Sequence, residues 1–220
     1  MIIVQPKPIE EVLNMMKNFK NPIVLGCEGC AAVTQAGGEK QAEVTAHLLE
    51  MGMKIKENRD IKITSASCLR QCDRQMVANS LKPLVEDKDV IISMACGVGV
   101  QVLADIFNTK TVLPAQNTMF IGSHDREATK FSELCKACGN CILDETGGIC
   151  PITRCAKSLL NGPCGGFADG KCEVGGWTRD CAWVLIFNRL KALGRLDDFI
   201  KFRPPRNYQT SQQPREIGGK

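Results

Sequence analysis

Histidine is almost missing from this sequence: there are two in 220 residues, His47 and His124. Tyrosine occurs once and tryptophan twice, and aromatic residues make up only 5%. Catalytic zinc usually keeps nitrogen or oxygen ligands, so it is disfavoured. Long apolar runs are missing as well. The longest, Val90 to Ala95 and Trp183 to Phe187, fall far below the ~20 residues that span a bilayer, so no membrane insertion is expected. Nor is there a strong charge of either sign. A formal net charge of +4 is too mild and diffuse to indicate nucleic acid. No Walker lysine motif occurs, and no secretory pattern opens the sequence, so a cytoplasmic protein is expected.

Cysteine is what the sequence has in excess. Thirteen are present, an odd number that does not suit a closed disulfide set. In a reducing compartment such a density points to metal thiolates, and the shortage of histidine makes any site nearly all-sulfur. Iron–sulfur clusters, or structural zinc held by four thiolates, are the two classes that remain.

The first 120 residues alternate between helical and strand patterns. Pro8 to Phe19 and Gly38 to Met53 read as amphipathic helices, the second using Val44, Leu48 and Met51. Strands are expected at Ile23 to Leu25, Ile61 to Ala66, Val90 to Ala95 and Thr111 to Leu113, and a further helix at Val98 to Phe107. Between Arg74 and Glu86 a helical pattern is interrupted by Pro83. This alternation predicts an α/β fold, a small Rossmann-like domain with a parallel sheet, over residues 1–120. A polar connector over about 120–130 leads into a cysteine-rich, metal-organised, irregular domain spanning 121–202. That domain ends in a helix over Arg179 to Gly194, and a polar tail over 203–220 needs a partner to order it.

Cys27 and Cys30 follow the first inner strand, Cys68 and Cys72 the second, and Cys96 the third. In a parallel sheet these strand ends share one edge, where open α/β folds place ligands. Four of the five are expected to form one site, helped by the helix N-termini that follow. A thioredoxin-type Cys27–Cys30 dithiol would leave the other three unexplained. The run Cys96-Gly97-Val98-Gly99 is half a dinucleotide fingerprint without its third glycine, and reads better as a tight turn beside a metal.

The other eight are Cys135, Cys138, Cys141, Cys150, Cys155, Cys164, Cys172 and Cys181. The opening Cys-x2-Cys-x2-Cys can grip three corners of a cubane while its backbone N–H groups point at the sulfides. The bacterial ferredoxin loop places its Cys-Pro step three residues on, whereas Cys150-Pro151 comes later here, so the fourth ligand is open between Cys150 and Cys155. The later cysteines are left for a second centre, in which iron–sulfur and zinc compete.

The stretch from Gly147 to Trp183 resembles a cysteine-rich module associated with methylenetetrahydrofolate reductases. The matching positions are Cys150, Cys155, Lys157, Leu159, Asn161, Gly162, Pro163, Cys164, Gly165, Gly166, Cys172, Glu173 and Val174. With the α/β half in front, the sequence is similar to the MetV-type small subunits of the two-subunit reductases of acetogenic bacteria. That resemblance implies an iron–sulfur electron-transfer subunit, and the two cysteine sets lead us to expect two or three [4Fe–4S] clusters in it. Its partners would be an electron-donor protein and a large subunit whose FMN reduces methylene- to methyl-tetrahydrofolate. A 220-residue chain has no room for the reductase barrel besides its cysteine modules, so no catalysis by this chain alone is expected. The competing expectation is a zinc-bearing assembly subunit without redox work.

Overall fold

The computed structural model describes residues 1–218 and divides into two compact units, Met1–Phe120 and Ile121–Lys220. The first unit opens with β1 (Ile2–Pro6), α1 (Ile9–Met16), β2 (Pro22–Cys27), α2 (Cys30–Val33) and α3 (Glu39–Glu57). It continues through β3 (Thr64–Cys68), α4 (Arg74–Val85), β4 (Val90–Met94), α5 (Gly97–Ile106), β5 (Thr111–Pro114) and the start of β6 (Gln116–Asp125). The strands β3-β2-β4-β5 form a four-stranded parallel sheet in that order. The α/β expectation with a parallel sheet therefore holds.

Every residue of β2 and β4 is buried, the pattern of inner strands covered on both faces. Alternation then sorts their side chains. Val24, Ile92 and Met94 pack with α1 and α3, while Ile23, Leu25 and Ile91 pack with α4 and α5. Helix α4 runs through Pro83, which sits in its last turn. There the missing N–H removes only one hydrogen bond near a frayed end.

Helix α3 departs from the sequence reading. The residues buried against the sheet are Ala42, Ala46, Leu49 and Met53, and Val44, Leu48 and Met51 are exposed. Both sets have helical spacing, and they lie about 200° apart around the axis. The alanine face wins because small side chains let the helix approach the sheet closely. Gly52 serves the same end, since a Cβ there would lie 2.5 Å from Leu13 Cδ1.

The second unit starts within β6, which pairs antiparallel with β7 (Lys130–Cys135) from Ile121↔Cys135 to Asp125↔Lys130. The expected polar connector is thus a hairpin. Asp125 Oδ1 accepts from Ala128 N at 3.0 Å, and Thr129 adopts φ 48°, so the turn chemistry sits in residues that read as linker. Next come α6 (Pro151–Arg154), the two-residue strands β8 (Phe167–Ala168) and β9 (Lys171–Cys172), α7 (Ala182–Ala192) and α8 (Leu196–Ile200). Trp183, Ile186 and Leu190 of α7 form a small internal core with Ile149, Leu159 and Phe199. No described helix is long and apolar enough to cross a membrane.

Candidate metal centres

In the first unit the strand order places a switch point between β2 and β4, because the connection leaving β2 runs to β3 on one side and that leaving β4 runs to β5 on the other. A cavity of about 510 Å³ opens at the carboxyl ends there. Its wall holds Cys27 at the end of β2, Cys30 at the start of α2, Cys72, and Cys96 at the N-cap of α5. Arg70 and Glu28 supply its charges, and Ile2, Val33 and Val98 its apolar lining. Cys68 is next to Cys27 across the parallel pair but does not line this cavity. It packs instead with Leu25, Val77 and Leu81, and burial followed by the neighbouring Cys27 pushes its thiol up to about 12. Burial, then Cys27, also raises the thiol of Cys72.

The crevice is braced by a residue the sequence reading missed. Gln71, fully buried, donates from Nε2 to Leu25 O at 2.8 Å and Gly26 O at 2.9 Å. Its Oε1 accepts from Ser93 Oγ at 2.6 Å. One amide therefore ties the turn before Cys72 to β2 and β4. Gly99 is explained by the same residue, since a Cβ there would lie 2.8 Å from Gln71 Cβ and from Ala95 Cβ. Gly97 N is already spent on Thr118 Oγ1 at 2.8 Å. Gly99 thus serves close packing in the first turn of α5. Nothing in the pattern CLRQCDR marks Gln71 as buried, because its partners are backbone carbonyls and a serine far away in the chain.

In the second unit Cys135 closes β7 and begins the Cys-x2-Cys-x2-Cys loop. Ala137 at φ 51° and Gly139 at φ 78° take left-handed conformations, which turn the backbone around the sulfurs. Ala137 N donates to Cys135 Sγ at 3.3 Å. Cys150 caps α6 and accepts from Thr153 Oγ1 at 3.6 Å. Since α6 packs against β7, Cys150 and Cys135 sit on touching elements.

The remaining four thiols, Cys155, Cys164, Cys172 and Cys181, line one enclosed cavity with Pro163, Phe167 and Trp183. Turns hold them there, with Cys172 N donating to Arg179 O and Cys181 N to Gly170 O, both at 2.8 Å. Lys157 Nζ lies 3.4 Å from Cys164 Sγ and pairs with Glu173, whose Oε1 accepts from Cys164 Sγ at 3.7 Å. The Lys157 bond holds the Glu173 carboxyl below the ordinary carboxylate range, and Glu173 in turn raises Lys157. The pair's contribution is present above the unfolded carboxylate value and lost as pH falls through the lowered folded one. At the alkaline end it is lost as pH rises through the raised value of Lys157. In the Lys157→Met variant Glu173 should titrate at a higher pH than in the wild type, measured by NMR of its side-chain carboxyl. Equal titration in both proteins would refute the pairing.

None of the thirteen cysteines takes part in a disulfide. No three His, Cys, Asp or Glu among the described residues stand close enough to hold a single ion. Around zinc, Zn–S bonds of about 2.3 Å bring thiolates to within ~4 Å of one another. A cubane spreads its ligands over four irons and four sulfides, so its thiolates stand farther apart than those around a single ion. The 510 Å³ crevice has ample room for a cubane. The second-unit cavity is tighter, at about 20 Å³. That is little more than one water-sized sphere. A cubane there needs its loops to part, and a single ion needs its sulfurs to close in.

Residues 113–209 match the family described as methylene-tetrahydrofolate reductase C terminal. The match takes in just under half of the chain and includes the second cysteine set entirely. It relates this part of the protein to an oxidoreductase family and leaves the first unit almost untouched. No curated protein matches the chain. Among solved structures, an extracellular ligand-binding receptor from Verminephrobacter eiseniae is similar at 10% identity and a TM-score of 0.35. The alignment covers 48% of this chain and 28% of that one, so the chain spans well under a third of that receptor.

Proposed function

We propose that this chain is an iron–sulfur electron-transfer subunit of a methylenetetrahydrofolate reductase complex, of the MetV type. The observation that carries the reading is that two cavities each gather four thiols; we assign twelve cysteines to three groups of four, the middle one by the spacing of its loop. Cys27, Cys30, Cys72 and Cys96 form the first. Cys135, Cys138, Cys141 and Cys150 form the second, on the packing of α6 against β7. Cys155, Cys164, Cys172 and Cys181 form the third. Cys68 is left over as a core residue. The family match over residues 113–209 supports the link to the reductase.

When bound, [4Fe–4S] clusters supply one-electron storage at potentials that the protein tunes. The chain's own residues supply thiolates, left-handed turns that aim N–H groups at sulfur, and apolar walls that exclude water. The partners of such a subunit are an electron-donor protein and a large subunit that carries FMN and reduces methylene- to methyl-tetrahydrofolate. The narrow third cavity favours a second reading for that group alone: a structural zinc ion beside two clusters.

Metal analysis with visible and EPR spectra on anaerobically purified protein tests this. About twelve irons are expected if all three groups hold cubanes, or about eight irons and one zinc if the third holds zinc. Cys72→Ser and Cys138→Ser should each remove about four irons, and Cys68→Ser none. A colourless protein that contains only zinc would overturn the relay and leave an assembly subunit.

A further inference from the structure

The Cys-x2-Cys-x2-Cys loop is covered by the chain's own polar tail. Arg206 Nη2 donates to Cys138 Sγ at 3.0 Å and to Asn140 O at 2.7 Å. Thr210, in a 3-10 turn over Tyr208–Ser211, donates from Oγ1 to Asn207 O at 2.8 Å and brings the same oxygen within 3.3 Å of Cys138 O. Both terminal nitrogens of Arg215 reach Ala137 O at 3.1 Å. The fit is close enough that a Cβ on Gly139 would lie 2.6 Å from Thr210 O. The segment that reads as a free polar end is therefore packed along the loop.

Arg206 stands out in this clasp for what it leaves over. Its Nη1 is buried and has no hydrogen-bond partner among the described residues. A guanidinium N–H is a strong donor, and burying it unpaired is costly. An anionic sulfur, thiolate or inorganic sulfide, is the acceptor that such a donor beside a ligand loop would take.

We infer that Arg206 is a positioning and charge-compensating residue of the centre that Cys135, Cys138 and Cys141 help to hold, carried to it by the 206–215 clasp. The inference rests on reading that loop as an iron–sulfur ligand loop. Its physical content is electrostatic. Four thiolates around a cluster carry net negative charge, and one-electron reduction adds to it. A fixed guanidinium donating to a ligand sulfur stabilises the reduced form more than the oxidised form and so raises the potential. Because arginine stays charged at all working pH values, the effect does not depend on a titration.

The test is an EPR-monitored redox titration of the full-length protein, with iron content measured in parallel, for wild type, Arg206→Gln and Arg206→Lys. Arg206→Gln should keep its iron and raise the oxidised-to-reduced ratio of one cluster about tenfold at fixed ambient potential, ~59 mV for a one-electron couple. Arg206→Lys, which keeps the charge but loses the fork, should recover part of that shift. Full iron with an unchanged potential in Arg206→Gln would overturn the inference. Equal loss of iron from both variants would also overturn it, since the residue would then only hold the loop's shape. If the wild type carries zinc and no iron, the iron–sulfur reading itself fails. The positioning role is then read from zinc release to a chelator, expected about tenfold faster in Arg206→Gln; an unchanged rate would refute it.

Discussion

Replacing Arg203 by alanine should destabilise the second unit by about 2–3 kcal/mol, the effect of leaving several buried hydrogen-bond acceptors without their donor. Arg203 is only 4% exposed although it stands in a segment of charged residues, prolines and glutamines. Its Nε pairs with Glu145 Oε2 at 2.8 Å, off-line for a hydrogen bond, while Nη2 donates to Asp198 O at 2.9 Å and Glu145 O at 3.1 Å. The guanidinium also lies 5.5 Å from the centre of the Trp183 ring. Its backbone is held as firmly, with Arg203 N donating to Asn161 Oδ1 at 2.7 Å and Asn161 Nδ2 to Arg203 O at 2.9 Å. One residue thus joins the loop before α6, the loop after it, α7 and α8. Alanine would leave the Glu145 carboxylate and several carbonyls facing a hole. Urea unfolding followed by tryptophan emission reports on this unit alone, since both tryptophans, Trp177 and Trp183, lie in it. A midpoint within error of wild type would refute the role assigned to Arg203.

The second large effect is expected at Gln71. Gln71→Met keeps the shape and removes the hydrogen bonds, leaving Ser93 Oγ and the Leu25 and Gly26 carbonyls buried without it. Each unsatisfied buried group costs about 1–3 kcal/mol, so a loss of about 3 kcal/mol is expected. Amide exchange of β2 and β4 should accelerate accordingly, because those strands lose the brace at their carboxyl ends. A second substitution separates this cause from simple misfit. Adding Ser93→Ala to Gln71→Met removes the orphaned hydroxyl and should recover about 1 kcal/mol. No recovery would mean that the serine is satisfied in some other way. The same brace holds the turn that carries Cys72, so the first group of thiols should also lose iron to chelators faster in Gln71→Met.

Much of the framework is legible from local patterns. The run Ile23-Val24-Leu25 and the run from Val90 can be nothing but covered strands, and their buried ends place Cys27 and Cys96 on one edge. Of the apolar residues at helical spacing in α7, Trp183, Ile186 and Leu190 form the core, while Phe187 and Leu193 are exposed. Periodicity fails at helix α3 because it carries two faces of similar spacing. Which one turns inward depends on how closely the sheet approaches, and the sequence does not encode that locally. The hairpin of β6 and β7 fails for another reason: its strands are polar and its pairing partner is set by register, not by composition.

By itself, then, the sequence determined that this protein is an α/β unit followed by a cysteine-rich one. It placed five cysteines at strand ends and eight in the second half, with a tight three-cysteine loop at the start of the latter. These features follow from periodicity and spacing over a few residues, which neighbouring chain atoms enforce. Tertiary structure alone decided which thiols share a cavity. Cys68 and Cys72 are four positions apart, yet only Cys72 faces the crevice with Cys27, Cys30 and Cys96. Cys150 and Cys155 flank the two ends of one short helix, and only Cys155 lines the second-unit cavity. Arg206 meets Cys138 across 68 positions of sequence. Such partnerships depend on strand order, on the direction in which each loop returns, and on burial summed over the whole unit. Those quantities are global, and no short stretch of residues contains them.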